Sequence, residues 1–507
     1  MTQTLVVGGG FGGIASALRS RALGHEVTIV DRLSRLGGRA QVFEREGFKH
    51  DAGPTVITAP FLFEELFALF DCDLADYATI VPLDTWYEFY FDDGQRFAYK
   101  GDIEHTYGEI ARFNPADVEG YKALLRLSKS IFEVGFEQLS ASPFTSFSTM
   151  LKQVPPLLKL KSYHTVYGLV SRFIKDEHLR KVFSVHPLLV GGNPYTTTSI
   201  YTLIHYLERK WGVHFCMGGT GALVDAFARL MTEQGITIKL DTDVTAIRTE
   251  NGRALGVDTA AGDFIAADNV IFNGDAPYAY KHLLPPSLRR QPIRRPDKMT
   301  KYSMGLFVLY FGSEKTYPDI AHHTIWLGPR HKALLKDIFD NHVVPEDFSL
   351  YLHRPTATDT SFAPEGCESF YALCPVSNLQ SNTDWSIEGP KLRDRIVKAL
   401  DRTILPGLAS TICADFYMTP EDFKTQYKSE FGAGFSIQPI LSQSAYFRYH
   451  NRDPEIGNLY FTGAGTHPGA GLPGVVSSAK VVEALLIEDA SMTGAKTVAN
   501  EASHEVA

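Results

Sequence analysis

Cysteine is scarce and scattered in this 507-residue chain. Its five copies (Cys72, Cys216, Cys367, Cys374 and Cys413) are an odd number with no C-x-x-C pair. That pattern signals neither a disulfide framework nor a zinc site, and a reducing cytoplasm suits it. Long apolar runs are missing too. No stretch approaches the roughly 18 residues that a membrane-spanning helix needs, so membrane contact is expected to be peripheral. The first residues carry no basic region and their apolar run ends at Gly8, which argues against a cleaved secretory signal. Positive charge is in short supply: with a formal net charge of -9 and a pI near 6.0, nucleic acid is not expected as a partner. There is no internal repeat or long low-complexity tract.

What is present is globular. The chain is 44% hydrophobic and 21% charged, and its 12% aromatic content hints at a large apolar surface, buried or bound. Its length favours two or three domains around a large shared interior. The run Thr4-Leu5-Val6-Val7 reads as a strand ended by a glycine turn, after which Ile14, Ala15, Ala17 and Leu18 form a helical stripe. A second β-branched strand over residues 26–31 finishes on Asp31 and completes a β-α-β unit. Between about 100 and 235 the apolar spacing turns helical, as in Ile200, Leu203, Ile204, Leu207 and Trp211, and reads as an insertion. Strand patterns resume near residues 236–238, 244–247 and 270–272, as a return to the nucleotide-binding sheet, and residues 302–311 and 348–352 suggest strands of a second sheet. After about residue 490 the chain is polar, and a frayed end is expected.

Gly8-x-Gly10-x-x-Gly13 places its glycines where a dinucleotide loop needs them: one for the turn, one for close approach to a pyrophosphate, one for helix-strand packing. The helix that follows offers free N–H groups to phosphate. Asp31, at the end of the next strand, is placed for ribose hydroxyls. NAD and FAD share this fingerprint. Downstream, Leu36-Gly37-Gly38-Arg39-Ala40 combines paired glycines with an arginine that can meet pyrophosphate charge. Far away, residues 458–475 run from a strand into a glycine-rich loop and a helix, which permits backbone approach to a flat ring.

Six segments together, residues 8–13, 36–40, 51–55, 188–194, 218–223 and 463–475, closely resemble those of bacterial-type phytoene desaturases, within the amine-oxidase-like superfamily of flavoproteins. The likeness runs from about residue 4 to 488, and the Gly-Ala-Gly-Thr-His-Pro-Gly-Ala-Gly run from Gly463 is its most specific part. It implies an α/β fold with a Rossmann-like FAD-binding domain in discontinuous segments (1–75, 215–290 and 450–490). A second, mixed-sheet substrate domain (76–110 and 291–449), a helical membrane-facing insertion (111–214) and a flexible tail (491–507) complete the expected organisation. It further implies FAD as cofactor, lined by Gly8, Gly10, Gly13, Asp31, Gly38, Arg39, Val244, Gly463, Ala464, Gly474 and Val475, and successive insertion of double bonds into phytoene to give lycopene or neurosporene. Asp31 stands where a glutamate is common.

A hydrocarbon substrate gives charged groups little to grip, so binding must come from apolar area at roughly 25 cal/mol per Å², and a long apolar tunnel is expected. Desaturation sends a hydride to the flavin and a proton to a base, for which Thr466 and His467 are the sequence's candidates, with reduced FAD or solvent as the alternative. Residues 151–161 mix leucines with lysines as an interfacial segment does, and the basic stretch 289–301 adds attraction to anionic lipid. The expected location is the cytoplasmic face of the membrane, with quinone or oxygen as electron acceptor and homo-oligomerisation open. The adjacent His322-His323 have no further ligand at helical spacing, so no metal is expected. Competing readings are a diapophytoene desaturase, a carotenoid isomerase that uses FAD without net oxidation, a monoamine oxidase, and a prenyl-binding escort protein that carries isoprenoids without oxidising them.

Overall fold

The computed structural model describes residues 1–144, 150, 155, 159–288 and 299–504. Strand β1 (Gln3–Val7), helix α1 (Phe11–Ala22) and strand β2 (Glu26–Val30) form the β-α-β unit that the glycine turn and the two apolar runs predict. They sit in a five-stranded sheet ordered Leu459–Phe461, Asn269–Phe272, β1, β2, Thr237–Lys239, with every pairing parallel. Both faces of this sheet are covered, as parallel sheets require. Val6, Ile29, Ile271 and Tyr460 point to one side, where they pack with α1 and the helices Phe61–Ala68, Gly219–Glu233 and Leu472–His504. Leu5, Val7, Val30, Val270 and Phe272 point to the other.

The first of these cores is aromatic. Phe11 and Phe63 rings lie 5.5 Å apart, joining α1 to the helix Phe61–Ala68, and Phe67 and Phe227 rings lie 5.1 Å apart, joining that helix to Gly219–Glu233. Each such buried ring contributes about 2 kcal/mol. Arg19 of α1, 4% exposed, adds ion pairs to Glu65 (2.5 Å) and Glu483 (2.6 Å) on two of those helices.

A seven-stranded mixed sheet is ordered Ile412–Met418, Gly305–Ser313, Glu368–Val376, Leu350–His353, His323–Leu327, Thr85–Phe91, Arg96–Lys100. Of its pairings only His323–Leu327 with Thr85–Phe91 is parallel. Between residues 103 and 211 the described segments are largely helical, with Ile103–Phe113, Asp117–Phe132 and Leu203–Trp211 the longest helices. No helix among the described residues is long and apolar enough to cross a membrane.

One expectation needs correction. Val244–Glu250 does not return to the parallel sheet but opens a three-stranded antiparallel sheet with Arg253–Thr259 and Phe264–Ala266. The reason is the turn Asn251-Gly252, both residues at positive φ (50° and 74°), which folds the strand straight back on itself. The last helix is Leu472–His504. Of the proposed lipid-facing segments, residues 151–154, 156–158 and 289–298 lie outside the described residues.

Candidate active site

The carboxyl ends of the parallel strands converge, which is where open α/β sheets bind ligands. Val7 leads into Gly8, Val30 into Asp31, Phe272 into Asn273 and Phe461 into the glycine run, and all four ends border one cavity of about 570 Å³.

The three fingerprint glycines take three different jobs. Gly8 has φ +101°, which makes the turn. Gly10 borders the cavity and caps α1 without any side-chain hydrogen bond, and no acid stands in the helix's first turn. Gly13 lies behind the wall, where an added Cβ would sit 1.9 Å from the carbonyl oxygen of Gly8. The uncapped helix end is therefore open to an anion.

Asp31 is 7% exposed and already holds the loop: Oδ2 accepts from Gly9 N–H at 2.6 Å and Oδ1 from Leu33 N–H at 2.8 Å. Burial pushes its carboxyl up, and these two N–H groups oppose the shift. Lone pairs remain on both oxygens for a ribose hydroxyl. Gly38 and Arg39 are on the cavity wall. Burial lowers the Arg39 guanidinium while Asp275 raises it, and Arg39 Nη2 donates to Ser429 Oγ at 3.1 Å. A guanidinium has five donors and stays charged, so Arg39 suits an anionic ligand.

Val244, Gly463, Ala464, Gly474 and Val475 also line the cavity. Thr466 does not: it lies fully buried behind the wall and donates through Oγ1 to Gly463 O at 3.0 Å. His467 is on the wall, with Nε2 donating to Leu139 O at 2.8 Å, and burial holds its ring down to about 4. The uncapped helix end, the glycine-lined loops and the waiting guanidinium fit a flavin dinucleotide, whose pyrophosphate would rest at Gly10 and Arg39 and whose ring would lie against the Gly463 loop.

Three site residues escaped the sequence reading. Asn273 donates to Gly8 O at 3.1 Å and accepts from Thr462 Oγ1 at 3.3 Å, tying three strand ends together. The turn-like Asn-Gly-Asp sequence marked the strand end without revealing this. Arg448, 1% exposed, donates to the carbonyls of Ala464 (2.5 Å), Thr466 (2.9 Å), Gln443 (3.3 Å) and Ile437 (3.4 Å), and so pins the glycine loop from behind. Nothing local in the sequence signals that role. Glu208, the third, faces the far arm of the cavity.

That arm is apolar. It is walled by Ile200, Leu203, Ile204 and Leu207 from the helical layer and by Leu306, Val308, Ile325 and Leu350 from the seven-stranded sheet. Among the described charged residues of the wall, Asp31, Arg32, Arg39, Asp243 and Asp275 belong to the dinucleotide end, and Lys428 pairs with Asp243 at 3.6 Å. Glu208 is the exception. It is fully buried, accepting from Tyr87 Oη at 2.8 Å and from His186 Nε2 at 2.9 Å.

Buried histidines set an acid limit on stability. His50, His331 and His467 are 2%, 3% and 7% exposed, and burial pushes each imidazole down to about 4. An unfolded chain takes up these protons near pH 6.5, whereas the folded one does not. Stability from these groups is therefore present above about pH 6.5 and declines as pH falls from there towards 4, by up to about 1.4 kcal/mol per pH unit for each ring. Thermal unfolding followed from pH 7 to pH 5 is expected to show a falling midpoint; a flat profile contradicts this account.

Comparison with known proteins accords with this geometry. A family model described as flavin containing amine oxidoreductase matches residues 11–482. The chain is 47% identical over 494 residues to a phytoene desaturase (lycopene-forming) of Pseudescherichia vulneris, covering 96% of this chain and 100% of that one. It is 41% identical over 499 residues to a phytoene desaturase (neurosporene-forming) of Rhodobacter capsulatus, covering 97% and 94%. A solved oxidoreductase of Methanosarcina mazei shares the fold, with a TM-score of 0.62 at 17% identity over 95% of this chain and 99% of that chain. With a dinucleotide cradle at the strand ends and a family match over most of its length, the chain belongs to the flavin-containing amine oxidoreductases.

Proposed function

We propose that this protein is an FAD-dependent phytoene desaturase that inserts successive double bonds into phytoene to form lycopene or neurosporene. One observation carries the reading: a single cavity joins the flavin cradle to an arm walled by aliphatic side chains. An apolar arm of this kind selects by buried area rather than by charge, which suits a polyene hydrocarbon. The named functions of the relatives agree with that chemistry. Purified protein incubated with FAD, phytoene-loaded liposomes and a quinone is expected to yield pigments with red-shifted absorbance, resolved by chromatography. Colourless product, or product with an unchanged number of conjugated double bonds, overturns the proposal.

Bound flavin supplies the acceptor for the hydride that leaves one carbon, and the neighbouring carbon must lose a proton. Glu208 is placed to take it, as the carboxylate of the apolar arm, held by Tyr87 and His186. His467 has its ring held down to about 4 by burial and its Nε2 engaged on Leu139 O. Replacing Glu208 by glutamine keeps the shape and removes the base. Anaerobic flavin reduction by phytoene is then expected to slow by about a hundredfold at unchanged FAD content; an unchanged rate removes Glu208 from the role.

The substrate partitions into lipid, so the reading includes peripheral docking on the cytoplasmic face of a membrane. Flotation with anionic liposomes tests it, and protein left in solution counts against it. Quinone against oxygen as acceptor is separated by supplying each alone.

A further inference from the structure

Three histidines that the proposed oxidation does not use meet at one end of two paired strands of the seven-stranded sheet. His323 begins one strand of the seven-stranded sheet and His353 ends its antiparallel neighbour, where the register pairs them directly. His322 precedes His323, and the three rings have centroids 4.6 to 5.4 Å apart. Their exposures are 5%, 0% and 0%.

Each ring has one nitrogen with a partner. Nδ1 of His322 is 2.7 Å from Thr358 Oγ1, Nδ1 of His323 is 2.7 Å from Tyr351 Oη, and Nε2 of His353 is 3.2 Å from Asp51 Oδ2. All three partners are oxygens able to accept, so each ring can turn its proton outward and keep a lone pair on its other nitrogen. Those other nitrogens, Nε2 of His322, Nε2 of His323 and Nδ1 of His353, are buried with no hydrogen-bond partner. The three rings each bring a nitrogen within 4.8 Å of the others. Three rings packed this closely, each with a buried nitrogen that lacks a partner, are costly unless something accepts electron density from them.

We propose that His322, His323 and His353 bind a divalent metal ion of the zinc class. The donor set is imidazole alone, which suits zinc and its transition-metal neighbours and does not suit calcium or magnesium. The outward hydrogen bonds, above all His353 to Asp51, are the supporting contacts that orient metal-binding histidines. Ligation at about 2.0–2.1 Å draws the three rings inward and leaves a fourth position for water. The ion is a brace. Asp51 also accepts from Thr220 N–H (2.8 Å) and Thr220 Oγ1 (3.0 Å) in the helix Gly219–Glu233, which covers the dinucleotide sheet. Tyr351 also contacts Thr55 Oγ1 at 2.9 Å on the cavity wall. Metal binding thereby couples the substrate sheet to the flavin layer, and it stands whether or not phytoene is the substrate.

The test is elemental analysis of the FAD-bound protein purified without a histidine tag. About one zinc-class ion per chain is expected. After chelation, added Co²⁺ is expected to rebind at the same stoichiometry and to give the visible absorption of a low-coordinate cobalt site. His353→Ala and the milder His322→Asn are expected to lose the ion. If both variants fail to fold, X-ray absorption on the wild-type metal decides: imidazole scattering supports the site, and oxygen or sulfur ligands alone overturn it. Metal retained in full by folded variants also overturns it. So does wild-type protein holding under about a tenth of an ion per chain and taking up neither Zn²⁺ nor Co²⁺, in which case the nitrogens share a buried water.

Discussion

Replacing Gly13 by valine is expected to produce a protein with sharply reduced FAD content. The new Cβ would stand 1.9 Å from Gly8 O, a backbone atom that cannot swing aside. Gly8 is held on both sides, its N–H donating to Val30 O at 2.8 Å and its carbonyl accepting from Asn273 at 3.1 Å. α1 must therefore lift from β1, and its N-terminus leaves the phosphate position. A strain of about 3 kcal/mol passed into binding weakens FAD roughly a hundredfold. Flavin absorbance of the purified protein measures this. Gly108→Ala is the control: that glycine is in the helix Ile103–Phe113 with nothing within 4 Å of an added Cβ, and its replacement is expected to leave FAD content unchanged. Full retention of FAD in the valine variant contradicts the packing role of Gly13.

Arg448→Met is expected to destabilise the protein by about 3 kcal/mol or more, because several buried carbonyl oxygens lose their donor at once. Two of those carbonyls belong to the loop Ala464 to Thr466, whose Ala464 and Gly465 border the cavity, so flavin reduction is expected to fall further than flavin content. Arg448→Lys does not rescue it, since one ammonium cannot span acceptors that a planar guanidinium reaches from two sides. Denaturant unfolding together with single-turnover flavin reduction checks both statements. A lysine variant with wild-type stability contradicts them.

Much of the dinucleotide end was legible before any coordinates. Gly8, Gly10, Gly13 and Asp31 fall within one β-α-β unit, where a single turn and two apolar periodicities leave few alternatives, and Gly10, Asp31, Gly38 and Arg39 do border the cavity. Val244 borders the cavity, yet its strand pairs in the antiparallel sheet and not in the parallel one, since alternation reports a strand and says nothing of its partner. Thr466 and His467 both stand beside the flavin-like glycines, and adjacency along the chain does not predict that His467 faces the cavity while Thr466 faces inward.

Local order, then, was written in the chain: which runs become strands, where the glycines turn, and that an anion-binding helix end follows the first strand. Those features depend on residues within one or two turns of each other, and backbone sterics decide them. Folding alone brought Arg448 under a loop sixteen to eighteen residues away, set Glu208 against the apolar arm, and laid His353 beside His322 and His323. Such meetings arise from burial and strand register across long separations, and no spacing along the chain encodes them.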